Sequence, residues 1–291
     1  MSPSLRRAFV TGSAILLFLV LAGATYQGVA TALERRQYRH PGHLVDVGGH
    51  QLHLYCEGRG TPAVVLEAPA TAMSSAWAWV QADVAKTTRV CSYDRAGLGW
   101  SEAGDAPFTP QAVPVELNAL LRLADEHGPY VIVGAELGAA YVSLYASTYP
   151  DDIAALVLVD PPGPFRSNPR SDAATRFLTV SPWLARTGVL RATRTLSKSA
   201  AGLPQPAGGA LTAFLNRPDH LTRAASELSR WDETVAMAEA ATLRRTLPVT
   251  QVELDGRDRV AVLADRRDAQ DVANAIARAV KTVQARMRAG N

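Results

Sequence analysis

Tyr130-Val131-Ile132-Val133-Gly134-Ala135-Glu136-Leu137-Gly138 is the run of residues on which the fold turns. Its first four residues are apolar and mostly β-branched, which predicts a buried strand. The Gly-x-Glu-x-Gly run follows at once, and Ala139, Ala140, Val142, Leu144 and Tyr145 then fall at helical spacing before Pro150. Ile153 to Val159 is a second buried-strand run, closed by Asp160 and Pro161. Strand, tight turn, helix and strand together predict an elbow, in which a sharp turn lifts one side chain above the end of the sheet. Glycine suits positions 134 and 138 because the turn is tight and the helix must pass close to the strand. The lifted side chain is an acid, Glu136.

The same alternation extends in both directions. Leu44 to Val47 and Gln51 to Tyr55 alternate apolar and polar about Gly48-Gly49, a hairpin pattern. His50 and His53 lie on this extended segment facing opposite sides, so they read as structural rather than as a metal pair. Ala63 to Leu66 and Arg89 to Tyr93 are further strand runs, and Trp77 to Ala85 and Pro114 to Glu126 are helical ones. His127-Gly128-Pro129 closes the latter, putting His127 at the N-terminal end of the Tyr130 strand, away from the elbow. Downstream, Leu247 to Leu254 returns to the sheet, Arg259 to Leu263 is a candidate last strand, and Ala269 to Arg288 a closing helix. Strands alternating with helices predict a mostly parallel sheet, whose ligands sit at the C-terminal strand ends. Those ends carry Glu67, Asp94 with Arg95, Glu136, Asp160 and Asp255.

At 291 residues and 47% hydrophobic content, the chain can bury one α/β core with room for an insertion. Its net charge of +3 comes from dispersed arginines, which gives no case for a nucleic-acid partner. Two cysteines, Cys56 and Cys91, exclude a disulfide-dense scaffold and a cysteine zinc site. They either pair or are small buried residues. From Ala8 to Leu33 no side chain is charged, which at ~1.5 Å per residue covers a hydrocarbon core of roughly 30 Å. A retained single-pass anchor is expected, since apolar character runs on past Ala22-Gly23-Ala24; the rival is a signal peptide cleaved there. Arginines on both flanks leave the side of the soluble part undecided.

The chain resembles the α/β-hydrolase fold family, and more narrowly its membrane-anchored bacterial members. The resemblance rests on Val45-Asp46-Val47-Gly48-Gly49-His50, on Ser92-Tyr93-Asp94-Arg95-Ala96-Gly97-Leu98-Gly99-Trp100-Ser101, on the elbow, and on Val157-Leu158-Val159-Asp160. It covers Leu44 to Pro164 well and the remainder in outline. It implies a membrane anchor and linker over 1–40, an α/β core over 41–162 and 246–291, and a helical cap over 163–245. The family's strand order makes the strands of Cys56 and Cys91 neighbours. A bond between them is then implied for an extracytoplasmic domain, and two thiols for a cytoplasmic one.

Against that family the catalytic pattern breaks. Hydrolysis of an acyl bond needs a serine, a histidine to take its proton, an acid to orient the histidine, and an oxyanion hole. Glu136 stands where the serine should be, and no residue beyond His220 is histidine. The family's histidine position falls near Val262 or Leu263, with Asp255 or Asp258 matching the acid. Pro69 lacks an N–H in the segment that should supply oxyanion donors. A carboxylate nucleophile of the dehalogenase or epoxide-hydrolase kind would leave an ester that no histidine-activated water releases.

Two readings follow. In the first, Glu136 is an acid–base group in a cofactor-independent isomerase, epimerase or cyclase. Glu67, Asp160, Asp255 or His220 would be its partner across the reacting carbon. Arg95, Leu137, Ala68 and His220 are then the substrate-binding candidates, no metal or cofactor is called for, and the substrate is a small molecule or peptide. Asp94 and Arg95 otherwise read as loop-organising, and His220 as a helix-surface side chain. Membrane proteins similar to α/β hydrolases also occur in linaridin peptide biosynthesis, one type being associated with epimerising residues; no motif of this chain carries that link. In the second reading, the fold is non-catalytic and binds a ligand or membrane-protein partner.

Overall fold

The computed structural model describes residues 2–162, 172–254 and 263–289. A long helix, α1 (Pro3–Gln37), leads into a hairpin of β1 (His43–Asp46) and β2 (Gln51–Glu57). Then come β3 (Val64–Glu67), α2 (Ala78–Val84), β4 (Val90–Tyr93), α3 (Ala112–Leu123), β5 (Tyr130–Ala135), α4 (Leu137–Thr148) and β6 (Ile153–Val159). Among the described residues, five α-helices are inserted before the sheet resumes: α5 (Asp172–Arg186), α6 (Val189–Thr193), α7 (Ala207–Phe214), α8 (Pro218–Ser229) and α9 (Trp231–Ala240). The described chain closes with β7 (Val249–Val252) and α10 (Arg266–Ala289).

The strands form one sheet in the order β1-β2-β4-β3-β5-β6-β7. β1, β2 and β4 pair antiparallel, and every pairing from β4 through β7 is parallel. Central strands β3, β5 and β6 are buried on both faces, which is why they read as apolar runs rather than alternating ones. Even so, the faces sort by period two. Val64, Leu66, Val131, Val133, Val157 and Val159 pack with α2 and α10. Val65, Ile132, Leu156 and Leu158 pack with α3 and α4. The expected hairpin, parallel sheet, flanking helices and helical insertion are all present. The helix expected over Pro114 to Glu126 begins and ends a little earlier, at Ala112 and Leu123. The candidate strand Arg259 to Leu263 lies almost entirely outside the described residues; Leu263 is buried against the α10 side of the core.

Cys56 and Cys91 lie directly opposite one another in the β2–β4 register and are joined in a disulfide, with Cα atoms 4.0 Å apart. By length and composition α1 is able to cross a membrane, as a signal sequence also would be. Its first part stands clear of the domain, with Phe9, Ile15, Leu16, Leu17, Phe18 and Leu19 all exposed. Its second part docks on the inserted helices. Gln27 is buried and donates to the Asn216 carbonyl at 2.6 Å, while Arg191 donates to Gln27 Oε1 at 2.8 Å and pairs with Glu34.

Candidate functional site

The elbow is formed as its glycines require. A Cβ on Gly134 would stand 2.4 Å from the Gly138 carbonyl oxygen, and one on Gly138 would stand 2.6 Å from the Ala68 oxygen. Neither position accepts a side chain. Between them Glu136 has φ 51° and ψ −121°, a strained geometry for a residue with a Cβ. Its amide donates to the Val159 carbonyl at 2.9 Å, fixing the turn against β6. The side chain is buried, and Oε2 accepts the Ala70 N–H at 3.1 Å. Pro69 contributes no donor, as its sequence position predicts, but the amide of the next residue does. That donor is directed at the elbow carboxylate itself.

The neighbouring strand ends are organised by Arg95. Its Nε and Nη2 meet Glu227 Oε1 and Oε2 at 2.8 and 2.9 Å, and its Nη1 pairs with Glu67. Two further N–H groups hold the Ala68 and Pro69 carbonyls at 2.8 and 3.1 Å. The guanidinium therefore ties α8 to the turn after β3 that supplies the Ala70 donor. Tyr93 donates its hydroxyl to Glu67, Arg223 supports Glu227 at 3.2 Å, and the Tyr141 ring lies 5.4 Å from the Arg95 guanidinium carbon. Burial pushes the Glu67 carboxyl up, with Arg95 and Tyr93 opposing only part of that rise. Burial also acts to raise Glu227, but Arg95 and Arg223 outweigh it and hold that carboxyl below its usual range. Burial alone would lower Arg95; Glu227 and Glu67 reverse this and keep it firmly cationic.

Asp94 organises the adjacent loop. It accepts the amides of Ser74 at 2.6 Å and Trp100 at 2.9 Å, and the His53 Nδ1–H at 3.0 Å. Burial opposes its ionisation, yet His53 and these amides hold its carboxyl below the ordinary value. A Cβ on Gly99 would stand 2.3 Å from Asp94 Oδ2, which accounts for glycine in that loop. His53 is accordingly a structural partner, as its strand position implies.

His220 corrects the sequence reading. It is not a helix-surface side chain but only 1% exposed, wedged between the inserted helices and two loops. Nδ1 accepts the Gly99 N–H and Nε2 faces the Thr71 carbonyl, each at 3.0 Å, so the ring is a neutral Nε2–H tautomer. Burial lowers its pKa. Asp160, with φ 43°, accepts the Leu254 amide at 3.0 Å and so closes β6 against β7. Asp255 lies outside the described residues. Leu137 and Ala68 line the buried turn beside Glu136. Glu227 escaped the sequence reading altogether, because a glutamate one helical turn after Arg223 looks like half of a solvated surface pair.

Cys56, Cys91 and Glu126 bring ligand atoms within 4.8 Å of one another, but both sulfurs are consumed by the disulfide. The trio therefore offers a metal one carboxylate. A cleft of about 1010 Å³ opens beside the Gly97–Phe108 loop, lined among others by His50, Trp100, Phe108, Arg217 and Arg223; Glu136 is not in its wall.

A family model described as alpha/beta hydrolase fold matches residues 60–268. The uncharacterised protein YqjL of Bacillus subtilis is 34% identical over 105 residues, which is 36% of this chain and 42% of that one. The chain thus spans less than half the length of this curated relative. Among solved structures, the enol-lactonase of Burkholderia xenovorans superposes with a TM-score of 0.60 at 17% identity, covering 82% of this chain and 100% of that one. The Cif epoxide hydrolase of Acinetobacter nosocomialis gives 0.62 at 14% identity over 79% and 80%. At such identities the superpositions speak to fold alone.

Proposed function

The chain belongs to the α/β-hydrolase fold family, and from that footing we propose that it is a membrane-anchored pseudohydrolase: a member that binds a ligand or partner without cleaving acyl bonds. The observation carrying this reading is the 3.1 Å bond from Ala70 N–H to the Glu136 carboxylate. In an acyl-transferring elbow, such an amide awaits an oxyanion that forms during reaction. Here a carboxyl oxygen belonging to the protein already satisfies it. The candidate partners are occupied as well: Glu67 by Arg95 and Tyr93, Asp160 by Leu254, and His220 by Gly99 and Thr71. The anchor is assigned to residues 1–40, the core to 41–162 and 246–291, and the cap to 163–245. The Cys56–Cys91 bond favours placing the soluble part outside the cytoplasm.

The test is incubation of the full chain in detergent micelles with a fluorophosphonate and with short-chain nitrophenyl esters. Neither labelling nor turnover above buffer is expected, and stoichiometric labelling would overturn the reading.

One observation favours the second reading, cofactor-independent proton transfer. A non-glycine residue at φ 51° costs of order 1–3 kcal/mol, and glycine or alanine would sit at this tip with less strain or less buried charge. On that reading Glu136 serves as one base and Asp255, shortly past β7 in sequence, as the other. The substrate is then a small molecule or peptide. Incubating linear peptides with the protein in D₂O, wild type against Glu136→Gln, separates the two: deuterium gain that the variant abolishes supports proton transfer, and equal spectra exclude it.

A further inference from the structure

We propose that the surface of α5 and α6 beside α1 is a second membrane contact, which lays the inserted helices on an anionic lipid bilayer. The inference rests on the reading of α1 as a spanning helix and adds to it an orientation and a lipid preference.

Three independent features converge on this face. The first is depth. A Cβ on Gly23 would stand 2.1 Å from the Thr187 carbonyl oxygen, so α1 meets the α5–α6 turn at that point. Counting ~20 residues at ~1.5 Å each from Ala8 fills a core of roughly 30 Å and ends near Gly28. Gly23 is five residues short of that point, so the α5–α6 turn lies roughly 8 Å to the hydrocarbon side of the boundary, the depth at which interfacial helices bury an apolar face.

The second is the exposed side chains. Val180, Trp183 and Val189 are 49%, 71% and 46% exposed, while Leu178, Ala185 and Leu190 on the opposite side are buried. Val180 and Trp183 share one helical face of α5 by their spacing. Arg186 lies over the Trp183 ring at 4.9 Å, an aromatic body under a cationic cover. Tryptophan at a bilayer surface takes this posture, its ring among acyl chains and headgroups.

The third is charge. Between Asp172 and Asp219 the sequence holds six basic residues, Arg176, Arg186, Arg191, Arg194, Lys198 and Arg217, and no acid. Arg176, Arg186, Arg194 and Lys198 are exposed. A protein partner would be free to match the apolar residues, but four exposed cations on a stretch without an acid, beside a hydrophobic helix, fit acidic headgroups.

The experiment uses the full chain in lipid nanodiscs, with tryptophan emission quenched by brominated phospholipids. Of the five tryptophans only Trp183 is exposed, and α1 contains none. Quenching is expected, most of it lost in Trp183→Phe, and stronger in phosphatidylglycerol-containing discs than in phosphatidylcholine alone. Replacing Arg186 or Arg194 by glutamine should weaken docking on anionic lipid by about five-fold for each arginine removed. Quenching unchanged by Trp183→Phe, or absent because a second copy or a protein covers the face, overturns the proposal. An alkaline carbonate wash separates the two readings: release of the chain from vesicles sinks the anchor and this contact together, whereas retention without Trp183 quenching sinks the contact alone.

Discussion

Replacing Arg95 by methionine removes one buried cation from between two buried carboxylates. The guanidinium holds Glu67 and Glu227, each at most 1% exposed, and also the Ala68 and Pro69 carbonyls. Breaking a buried pair by deleting one partner costs about 3–5 kcal/mol, because the remaining charge is left in a medium that cannot solvate it. Two carboxylates lose their shared cation here, but Arg223 still meets Glu227 and Tyr93 still donates to Glu67, which puts the loss near the middle of that range. For a domain of this size roughly 2–4 °C of Tm accompanies each kcal/mol, so a fall on the order of 10–15 °C is expected in thermal unfolding followed by tryptophan emission. The pH dependence carries the sharper test. In the variant both carboxyls would have folded pKa values above the unfolded one, so the penalty is present above about pH 4.3 and fades as the groups protonate. In the wild type Glu227 is held below its usual range, and its contribution is present above about pH 4.3 and lost as pH falls through the folded value. The gap between the proteins should therefore narrow from pH 8 toward pH 5. Adding Glu67→Gln and Glu227→Gln to the variant should recover part of the loss at pH 8. A change below about 1 kcal/mol, or a gap constant with pH, would refute the view that Arg95 is the electrostatic tie between α8 and the turn below it.

The Cys56–Cys91 bond closes a loop of sequence separation 35, worth about 3–4 kcal/mol in the chain-entropy account. Replacing both cysteines by serine should lower the urea midpoint, and a reductant should then shift the wild type but not the variant. Gly23→Ala places a methyl against the Thr187 carbonyl and should cost about 1–3 kcal/mol, read as faster amide exchange over α6. His220 has a lowered folded pKa, so its neutral form favours folding fully above about pH 6.5 and stability drains away as pH falls through that value. A wild-type stability profile that stays as flat between pH 7 and 5 as that of His220→Gln would count against the buried neutral ring.

The sheet was legible because its signals are local. Gly134 and Gly138 are dictated by backbone closeness, and the apolar runs of β3, β5 and β6 by burial on both faces. Cysteine pairing needed the strand order, which the family resemblance supplied. Glu227 stays hidden, and His220, though a candidate, reads as surface, for one physical reason: on α8 nothing local tells a polar side chain that faces solvent from one that faces another element. The docking of α1 did leave a trace. Gln27, Thr31 and Glu34 recur at helical spacing within a largely apolar run, and they are the residues that meet Arg191.

These contacts also explain why the elbow and α1 belong to one mechanical unit. Gln27 on α1 holds the Asn216 carbonyl, and Asn216 precedes α8, whose first turn carries His220. His220 bonds the Thr71 carbonyl, next in the chain to Ala70, whose amide holds Glu136. Farther along α8, Glu227 grips Arg95, which holds the Ala68 and Pro69 carbonyls of the same turn. Helix α8 thus reaches the donor segment at two points, one neutral and one ionic, while its preceding residues are held by α1. Moving α8 far enough to open the elbow would break the buried ion pair and strand its charges. On the proposed reading, in which the fold holds one surface at a membrane, such a tie supplies rigidity, and the Glu136 side chain completes the closure by accepting the Ala70 amide.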